Sequence, residues 1–543
     1  MLVEFYYIRG DNLLKLRIDS LEWALKHIEN YGDTDIFPVP FEYEAIRYLW
    51  DTNTRELPNG TTLKEYLRNQ DMLKWNVRDY RRSLTPKHKF GFRLSTQLDP
   101  LDTLVYLALV YEIGQDIETK RISVDRNVSF SYRFNPDNDG RMFDSEIHHG
   151  NFLNYCESKV DEFNGDDNIK YVLVADIADF FPRLYLHPLE NALSSCTTKT
   201  NHARAIKRLL NSWNYSISYG IPVGQDASRL LAELTLNDID EGLLSEGVDF
   251  CRYVDDFRIF CSSEKEAYQQ LALLAEMLFE NHGLTLQQHK TRIIPVDEFR
   301  RKYLKSEESI EIQRLSDEFL EILHEMGIDD PYGEIDYDIL PSELQQQIDS
   351  LNLVAILQEQ IDSENVDAKI NGFVLRRMAQ LKNTDALELV LDNIDKLYTA
   401  FQHIFVYIND LELSDSQKDD VSEKLISILD DSIVGHLEFH RMWLFKTFSN
   451  GEGWNIDKLA TYYNEYFDDF SRRKIILALG KANQQSWFKT RKRSIMQLPN
   501  WQRRAFLAAA NCLPGDEASH WYRSILPRLD VLEVAVVKWA ESK

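Results

Sequence analysis

The fold is decided first by the stretch Tyr171-Val-Leu-Val-Ala-Asp176-Ile-Ala-Asp179-Phe180-Phe181. Its nearly continuous apolar run predicts a buried strand that presents Asp176 at its carboxyl end. A buried carboxylate at that place requires a cation or a basic partner nearby. Taken alone, the pattern is common and is more typical of an aspartate that caps a neighbouring element.

The second deciding stretch is Phe250-Cys-Arg-Tyr253-Val254-Asp255-Asp256-Phe257-Arg-Ile-Phe-Cys261. Two β-prone arms flank Val-Asp-Asp, which predicts a hairpin with Asp255 and Asp256 at its tip. An Asp-rich turn often only satisfies backbone groups. Combined with Asp176 in one α/β layer, however, the two acids predict a site for two Mg²⁺ ions, which prefer oxygen ligands. Such a site suits in-line attack of a 3′-hydroxyl on a nucleoside triphosphate.

Two further motifs lie in order around these stretches. They are Gly220-Ile-Pro222-Val223-Gly224-Gln225-Asp-Ala-Ser228 and Gly283-Leu-Thr-Leu-Gln-Gln-His289-Lys290-Thr-Arg. In order and spacing, the four stretches resemble motifs A, B, C and D of reverse transcriptases, with Tyr253-Val-Asp-Asp256 as the motif C tetrapeptide. The resemblance implies a right-hand polymerase with fingers and a palm.

The resemblance also implies a role for each residue of the metal site. Asp176, Asp255 and Asp256 would bind Mg²⁺, with Mn²⁺ as a substitute, and the carbonyl of Ile177 would be an additional ligand. Lys290 would be the general acid that protonates the pyrophosphate leaving group. An exposed lysine without a catalytic role is the competing interpretation.

Other residues would contact the nucleotide. Phe181 occupies the steric-gate position, where a ring clashes with a ribose 2′-hydroxyl and so favours dNTPs; alternatively it is a core residue. Gly224 would let the backbone approach the template and the incoming nucleotide. In the fingers, Arg133 is the first candidate for gripping the triphosphate and Lys120 or Arg121 the next, against the alternative of surface cations.

The stretch Tyr31-Gly-Asp-Thr-Asp-Ile-Phe-Pro-Val-Pro-Phe-Glu, followed by a long helical tail, resembles the bacterial abortive-infection and defence-associated branch of reverse transcriptases. That branch implies antiphage defence, closed homo-oligomers, and template-independent DNA synthesis whose product is attached to a tyrosine. The sequence does not identify a primer among its 26 tyrosines. Val223 stands where many reverse transcriptases have glutamine, which puts conventional templated fidelity in doubt.

Composition limits the remaining classes of function. The 543 residues exceed one ordinary core. No apolar run approaches the roughly 18–20 residues of a membrane span, so we expect no membrane association. The N-terminal residues lack the apolar region of a signal peptide, and the five scattered cysteines form no C-x-x-C pair. We therefore expect a cytoplasmic protein without disulfides or zinc, and the resemblance to the defence-associated branch implies that the cytoplasm is bacterial.

The net charge of −26 argues against strong affinity for random DNA. The segment Lys74–Arg93 is locally basic nevertheless, and aromatic residues such as Trp75 and Phe90 are interleaved with its cations. Two interpretations stay open for this segment, a solvated basic surface and a nucleic-acid groove.

The predicted fold class is α+β, with fingers and palm followed by an all-α, HEAT-like repeat domain in place of a usual thumb. We predict an N-terminal segment and fingers at 1–150, a palm at 151–305 and the helical domain at 306–543. Within the helical domain, similar helix openings at Arg441, Arg473 and Arg504 recur at intervals of about 32 residues, a period typical of stacked helix pairs. A plain helical bundle is the alternative.

Three functional hypotheses follow. The first is a DNA polymerase in antiphage defence that is template-independent and protein-primed. The second is a conventional reverse transcriptase that copies a partner non-coding RNA; an RNA polymerase would share the palm chemistry, but Phe181 argues against ribonucleotides. The third is a degenerate polymerase that serves as a helical-repeat binding scaffold, although the presence of all three acids disfavours it.

Overall fold

The computed structural model describes residues 13–51, 57–88, 91–161, 165–166, 168–214, 217–304, 352–363, 366, 368–451 and 453–543. The chain forms two compact units. The sheet unit comprises Met1–Tyr80 and Ser95–Leu304, and the helical unit comprises Arg81–Leu94 and Lys305–Lys543. Residues on both sides of position 150 therefore belong to one unit. The predicted segment 306–351 lies outside the described residues.

The sheet unit is built on four antiparallel strands. These are β3 (Tyr171–Asp176), β4 (Phe250–Tyr253), β5 (Asp256–Cys261) and β6 (Arg292–Pro295), in the order β4-β5-β3-β6. The buried strand ending at Asp176 and the Val-Asp-Asp hairpin are thus confirmed. Because β3 lies beside β5 in register, Asp176 is directly opposite Asp256.

The sheet unit also contains helices. They are α1 (Ile18–Tyr31), α2 (Glu42–Trp50), α3 (Leu63–Arg68), α4 (Pro100–Lys120), α5 (His149–Val160), α6 (Phe180–Arg183), α7 (Leu186–Cys196), α8 (Thr200–Trp213), α9 (Asp226–Thr235), α10 (Asn237–Ser245), α11 (Glu264–His282) and α12 (Val296–Phe299). Helix α4 starts with Asp99 as its N-cap and Pro100 in its first turn. It is mostly buried and packs against α1, α8 and α9.

The core of the sheet unit follows from alternation along the strands. Val172 and Val174 of β3 share one face with Cys251 and Phe260, and this face packs against Phe152 of α5. Helix α11 also packs against β3 and β5. The sheet is therefore buried by helices, which fixes the strand ends that carry the acids.

The helical unit contains helices α13 (Leu353–Asp362), α14 (Ala368–Gln380), α15 (Leu387–Asp392), α16 (Phe401–Asp410), α17 (Asp415–Asp431), α18 (Glu438–Asn450), α19 (Leu459–Glu465), α20 (Asp469–Lys481), α21 (Gln485–Arg491), α22 (Asn500–Ala509), α23 (Gly515–Ile525) and α24 (Val531–Ala540). Helices α14, α16, α18, α20, α22 and α24 pack against one another in succession. Alternate-helix stacking of this kind is typical of helical repeats. The narrower HEAT-like assignment stays a prediction.

The arginines that mark the sequence repeat contact the following helix of this series. Arg441 donates to Asp468 at the start of α20 (2.8 Å), and Arg473 donates to the carbonyl of Trp501 on α22 (3.0 Å). At the third position the neighbouring Arg503, rather than Arg504, donates to Glu533 (3.0 Å). Two of the three repeated arginines, and a neighbour of the third, thus connect successive helices.

A two-stranded hairpin, β1 (Arg81–His88) and β2 (Gly91–Gln97), carries part of the basic segment. Arg81 is buried in the helical unit, with its guanidinium 4.1 Å from the ring centre of Phe470 and 3.8 Å from that of Trp501. Arg78, in the sheet unit, lies 5.4 Å from the ring of Trp75. Arg81 is therefore not part of a solvated basic surface, whereas the side chain of Arg78 is 14% exposed and leaves both interpretations open at its position. Lys89 and Phe90 lie outside the described residues.

In the part of the chain that the structure describes, no helix has both the length and the apolar character required to cross a bilayer.

Candidate active site

The sheet brings the three predicted acids together. Asp176 ends β3, Asp256 begins β5, and Asp255 lies in the two-residue turn between β4 and β5. The amide of Ile177 donates to the carbonyl of Asp255 (3.0 Å), so the end of β3 is bonded directly to the turn. The pairing of these strands, rather than nearness in sequence, creates the acidic site.

The turn itself is strained at Val254, whose φ is +58°. A β-branched residue rarely adopts this left-handed conformation, which costs about 1–3 kcal/mol. Two hydrogen bonds hold it: the Val254 amide donates to Ser131 Oγ (2.8 Å), and Arg252 Nη1 donates to the Val254 carbonyl (2.9 Å). Ser131 in turn donates to Glu233 (2.5 Å). The position of Asp255 therefore depends on side chains distant in sequence.

Behind the turn lies the buried cluster, which we define as Glu233, Asp240, Arg121 and Arg252. Each of these side chains is at most 2% exposed. Arg252 forms a two-bond pair with Asp240 (2.7 Å each) and donates to Glu233 (2.9 Å), which also accepts from Arg121 (2.7 Å). Although burial opposes its ionisation, attraction by Arg252 and Arg121 lowers the pKa of Glu233. The cluster is electrically balanced and connects α9 to the turn.

The acids of the turn have partners of their own. Lys290 Nζ lies 2.6 Å from Asp176 Oδ2, and Arg258 forms a two-pronged pair with Asp256, Nη2 donating to Oδ2 at 2.9 Å. We call Asp176, Asp255, Asp256, Lys290 and Arg258 the turn cluster. It contains three carboxylates but only two cations, so one negative charge is left without a cationic partner within it.

This imbalance of charge affects the pKa of Asp255. Burial, and then repulsion by Asp176, raise the pKa of Asp255 from 3.8 to about 6. Burial disfavours the charge of Lys290, but its hydrogen bond with Asp176 and the attraction of the surrounding acids raise the pKa of that lysine. The ammonium group is thus held in its protonated form beside the carboxylates.

The donor set fits a hard divalent cation in part. Asp176 and Asp255 supply carboxylate oxygens, and the carbonyl of Ile177 lies in a non-hydrogen-bonded pair with Leu286, so the ladder does not use it. Among the described residues, however, no three acid, histidine or cysteine side chains converge tightly enough to enclose a metal ion. Asp256 is paired with Arg258, so its use in a three-carboxylate site requires this pair to open.

The two aromatic residues after motif A are placed differently. Phe180 is 2% exposed and belongs to the core, whereas Phe181 is only partly buried and meets Phe180 edge-on at 5.4 Å. The backbone carbonyl of Phe181 accepts from the amide of Ile221 (3.1 Å), which joins this segment to motif B. The steric-gate role of Phe181 remains a prediction.

Motif B turns at Gly224, whose φ is +96°. A Cβ at this position would lie 2.8 Å from a carboxylate oxygen of Asp35 and 2.9 Å from Ile36 Cδ1, so glycine is required there. The backbone of Gly224 thus lies close to residues 34–36 of the protein itself. The predicted contact of Gly224 with a nucleotide is not tested by this geometry.

The fingers arginines are not free to bind a triphosphate. Arg133 is 4% exposed and pairs with Glu118, while Arg121 is 2% exposed and pairs with Glu233. Because both guanidinium groups are buried in ion pairs, we correct their predicted role: they stabilise the sheet unit. Lys120 is 39% exposed and pairs with an acid of α10, and its triphosphate assignment stays a prediction.

Several residues of the site carried no recognisable sequence signal. Arg252 and Arg258 flank the acidic turn in the quoted stretch, and Ser131 lies in the predicted N-terminal segment and fingers (1–150), but their partners depend on contacts across the fold. Gln225 is 1% exposed, and among the described residues neither atom of its side-chain amide has a hydrogen-bond partner. Its position next to Gly224 in motif B is the sequence feature that could have identified Gln225 as a residue of the site.

Comparison with known proteins identifies the type of domain. Residues 131–308 match the family described as "Reverse transcriptase (RNA-dependent DNA polymerase)". No curated protein matches the chain. A structure of telomerase from Candida albicans, in complex with a TWJ fragment of telomeric RNA, has 11% identity and a TM-score of 0.31, covering 79% of this chain and 70% of that chain. Apo telomerase from Candida tropicalis has 10% identity and a TM-score of 0.32, with coverages of 86% and 69%.

The telomerase similarities are too weak to carry an argument about fold or function. The family match is specific in position, because its range contains Asp176, Asp255, Asp256 and Lys290 together with the turn that joins β4 to β5. The chain therefore carries a reverse transcriptase domain and is a nucleotidyltransferase of the RNA-directed DNA polymerase type.

Proposed function

We propose that this chain polymerises dNTPs into DNA with Mg²⁺ held at Asp176 and Asp255, and with Asp256 joining them once Arg258 releases it. The observation that carries this proposal is the turn cluster, in which strand pairing gathers three carboxylates around an unbalanced negative charge. When bound, Mg²⁺ or Mn²⁺ would activate the attacking hydroxyl and neutralise charge on the triphosphate. The carbonyl of Ile177 is available as an additional oxygen ligand.

Lys290 supplies the proton in this proposal. Its Nζ carries a proton beside Asp176, in a position to orient a triphosphate and to transfer that proton to departing pyrophosphate. The partly exposed ring of Phe181 favours deoxyribose by excluding a 2′-hydroxyl, whereas Phe180 fills the core.

We further propose that synthesis is template-independent, is primed by a tyrosine of the protein, and serves antiphage defence in the bacterial cytoplasm as a homo-oligomer. This rests on the resemblance of Tyr31–Glu42 and the helical tail to the defence-associated branch, and on Val223 in place of glutamine. RNA-templated synthesis with a partner RNA is the second candidate, because the matched family is described as RNA-dependent.

The test uses purified protein, Mg²⁺ and labelled dNTPs without added nucleic acid. Products are run on a denaturing gel before and after protease digestion. The proposal expects labelled material that shifts on proteolysis and is lost in Asp255→Asn, by about a thousandfold or more since metal-ligand loss removes several kcal/mol. Asp297→Asn, which changes a 92% exposed acid of the same unit, is the control and should retain activity.

Extension that occurs only after a template and primer are supplied would favour the second candidate. Absence of synthesis under both conditions, with a folded protein, would contradict polymerase function. Sugar selection is tested with Phe181→Ala, which should relax discrimination against ribonucleotides, while Phe279→Ala, at a 66% exposed phenylalanine, should not.

A further inference from the structure

At the surface of the helical unit, two partly exposed arginines alternate with three aromatic rings, of which Phe467 is exposed and Tyr463 and Trp487 are buried. The guanidinium of Arg472 lies 4.6 Å from the ring centre of Phe467 and 5.0 Å from that of Tyr463. The guanidinium of Arg491 lies 6.0 Å from the ring of Tyr463 and 4.5 Å from that of Trp487. We call Phe467, Arg472, Tyr463, Arg491 and Trp487 the ring–arginine ladder; it joins α19, α20 and α21.

The ladder is held in place by bonds that leave its outer groups available. Arg472 Nε donates to the backbone carbonyls of Tyr463 (3.1 Å) and Tyr466 (2.7 Å), which fixes its plane without using a carboxylate. Trp487 meets Tyr463 edge-on at 5.1 Å. At the outer end, Phe467 is 75% exposed, an unusual exposure for a ring held against an arginine.

The charges of the ladder are also unusual for this chain. In the described part of the chain neither Arg472 nor Arg491 forms an ion pair with a carboxylate, although the protein carries a net charge of −26. The neighbouring acid Asp468 is occupied by Arg441, and Glu465 lies near Tyr462. Neither guanidinium of the ladder is thus neutralised by a direct ion pair with a described residue, although acids are abundant in this chain.

We infer that the ring–arginine ladder is a binding site for single-stranded nucleic acid. Unpaired bases stack on exposed aromatic rings and guanidinium planes, and arginine attracts the phosphates that connect them. In the ladder these are the ring of Phe467 and the planes of Arg472 and Arg491. Tyr463 and Trp487, by contrast, are buried rings against which the arginines lie. In a duplex the base faces are stacked on one another and are not accessible to protein rings. An acidic peptide would bind the arginines but would make no specific contact with the exposed ring of Phe467. The inference rests on the proposed function, because the single strand bound at the ladder would be the product that a polymerase without an obligatory template releases.

The test is fluorescence anisotropy with a labelled thymidine 20-mer and the full-length Asp255→Asn protein in EDTA, so that no synthesis occurs. Arg472→Ala combined with Arg491→Ala should weaken binding about fivefold or more and reduce the slope of log K against log salt by about 1.4. Phe467→Ala should weaken binding about fivefold or more and leave that slope unchanged, because it removes stacking only. Arg523→Ala, at an exposed arginine of the same unit, is the control and should bind like the parent.

Melting curves establish that each variant is folded, and Arg491→Lys, which keeps the charge but loses the planar group, provides a milder variant. Its weaker binding at an unchanged salt slope would support the ladder. Unchanged affinity in the double arginine variant, or equal affinity for a duplex of the same sequence, would overturn the inference. Since the assay needs no catalysis, a failure of dNTP polymerisation leaves its result intact.

Discussion

The turn cluster and the buried cluster lie on either side of Val254 and differ in their charge balance. The buried cluster pairs two acids with two arginines, all at most 2% exposed, whereas the turn cluster pairs three acids with two cations and is partly open to solvent. Both clusters are composed of carboxylates and basic side chains. The comparison indicates that balance serves to position the turn, and that a deficit of positive charge provides the capacity to bind a cation.

The largest expected effect tests the buried cluster. Arg252→Met removes the partner of Asp240 and one partner of Glu233, leaving buried carboxylates that cannot be hydrated. We expect the free energy of unfolding to fall by about 3–5 kcal/mol. Urea denaturation followed by tryptophan fluorescence measures this loss.

The matched control makes the same substitution in the turn cluster. Arg258→Met frees Asp256, which is 31% exposed and can be solvated, so we expect less than half of the loss seen for Arg252→Met. Equal losses at the two positions would contradict the distinction between a balanced, buried cluster and an open one.

The next prediction is an increase, rather than a loss, in the free energy of unfolding. The raised pKa of Asp255 means that its charge destabilises the folded, metal-free protein at neutral pH. Asp255→Asn should therefore raise the free energy of unfolding by up to about 3 kcal/mol in EDTA while abolishing polymerisation. A loss of stability in this variant would show that the turn cluster is not short of positive charge.

The pH dependence and Mg²⁺ sharpen this prediction. Since the pKa of Asp255 is higher in the folded than in the unfolded chain, the penalty is fully present above about pH 6, shrinks between about 6 and 3.8, and is absent below. The gain in Asp255→Asn should follow the same window. Added Mg²⁺ should raise the melting temperature of the parent protein more than that of the variant.

A smaller effect is expected where the two clusters meet. Ser131→Ala removes the acceptor of the Val254 amide and a donor to Glu233. We expect a loss of about 1–2 kcal/mol in stability and a lower kcat with little change in KM, because the turn loses its position rather than its ligands. Ser123→Ala, at an exposed serine of the same unit, should change neither quantity.

The smallest expected effect concerns Gln225. Its buried amide has no partner among the described residues, so Gln225→Leu should raise the free energy of unfolding by about 1 kcal/mol. Lower stability would indicate that the amide already has a partner in the protein.

Sequence patterns were sufficient for the parts of the fold that follow local rules. The apolar run ending at Asp176 and the two β-prone arms around Asp255 predict their strands, because alternation and burial act over a few residues. The gathering of these acids with Lys290 followed from the order of the motifs. Their catalytic roles remain predictions.

The roles of the arginines could not be predicted in the same way. Arg121, Arg133 and Arg252 look alike in sequence, and their ion pairs join positions separated by up to 112 residues. A guanidinium group suits a triphosphate and a buried glutamate equally well, so only the three-dimensional fold separates these fates. The strain at Val254 likewise depends on Ser131, which no local pattern connects to it.

The assignment of residues 81–94 to the helical unit has a practical consequence for dissecting the protein. The chain passes between the two units at Tyr80, at Leu94 and again at Leu304. A truncation after Leu304 would therefore not isolate an intact folding module, because it would strip Arg81 of the rings of Phe470 and Trp501 and expose the hairpin to proteases and aggregation. Separating the units requires two cuts around the hairpin, bridged by a short flexible linker, in addition to the cut at 304.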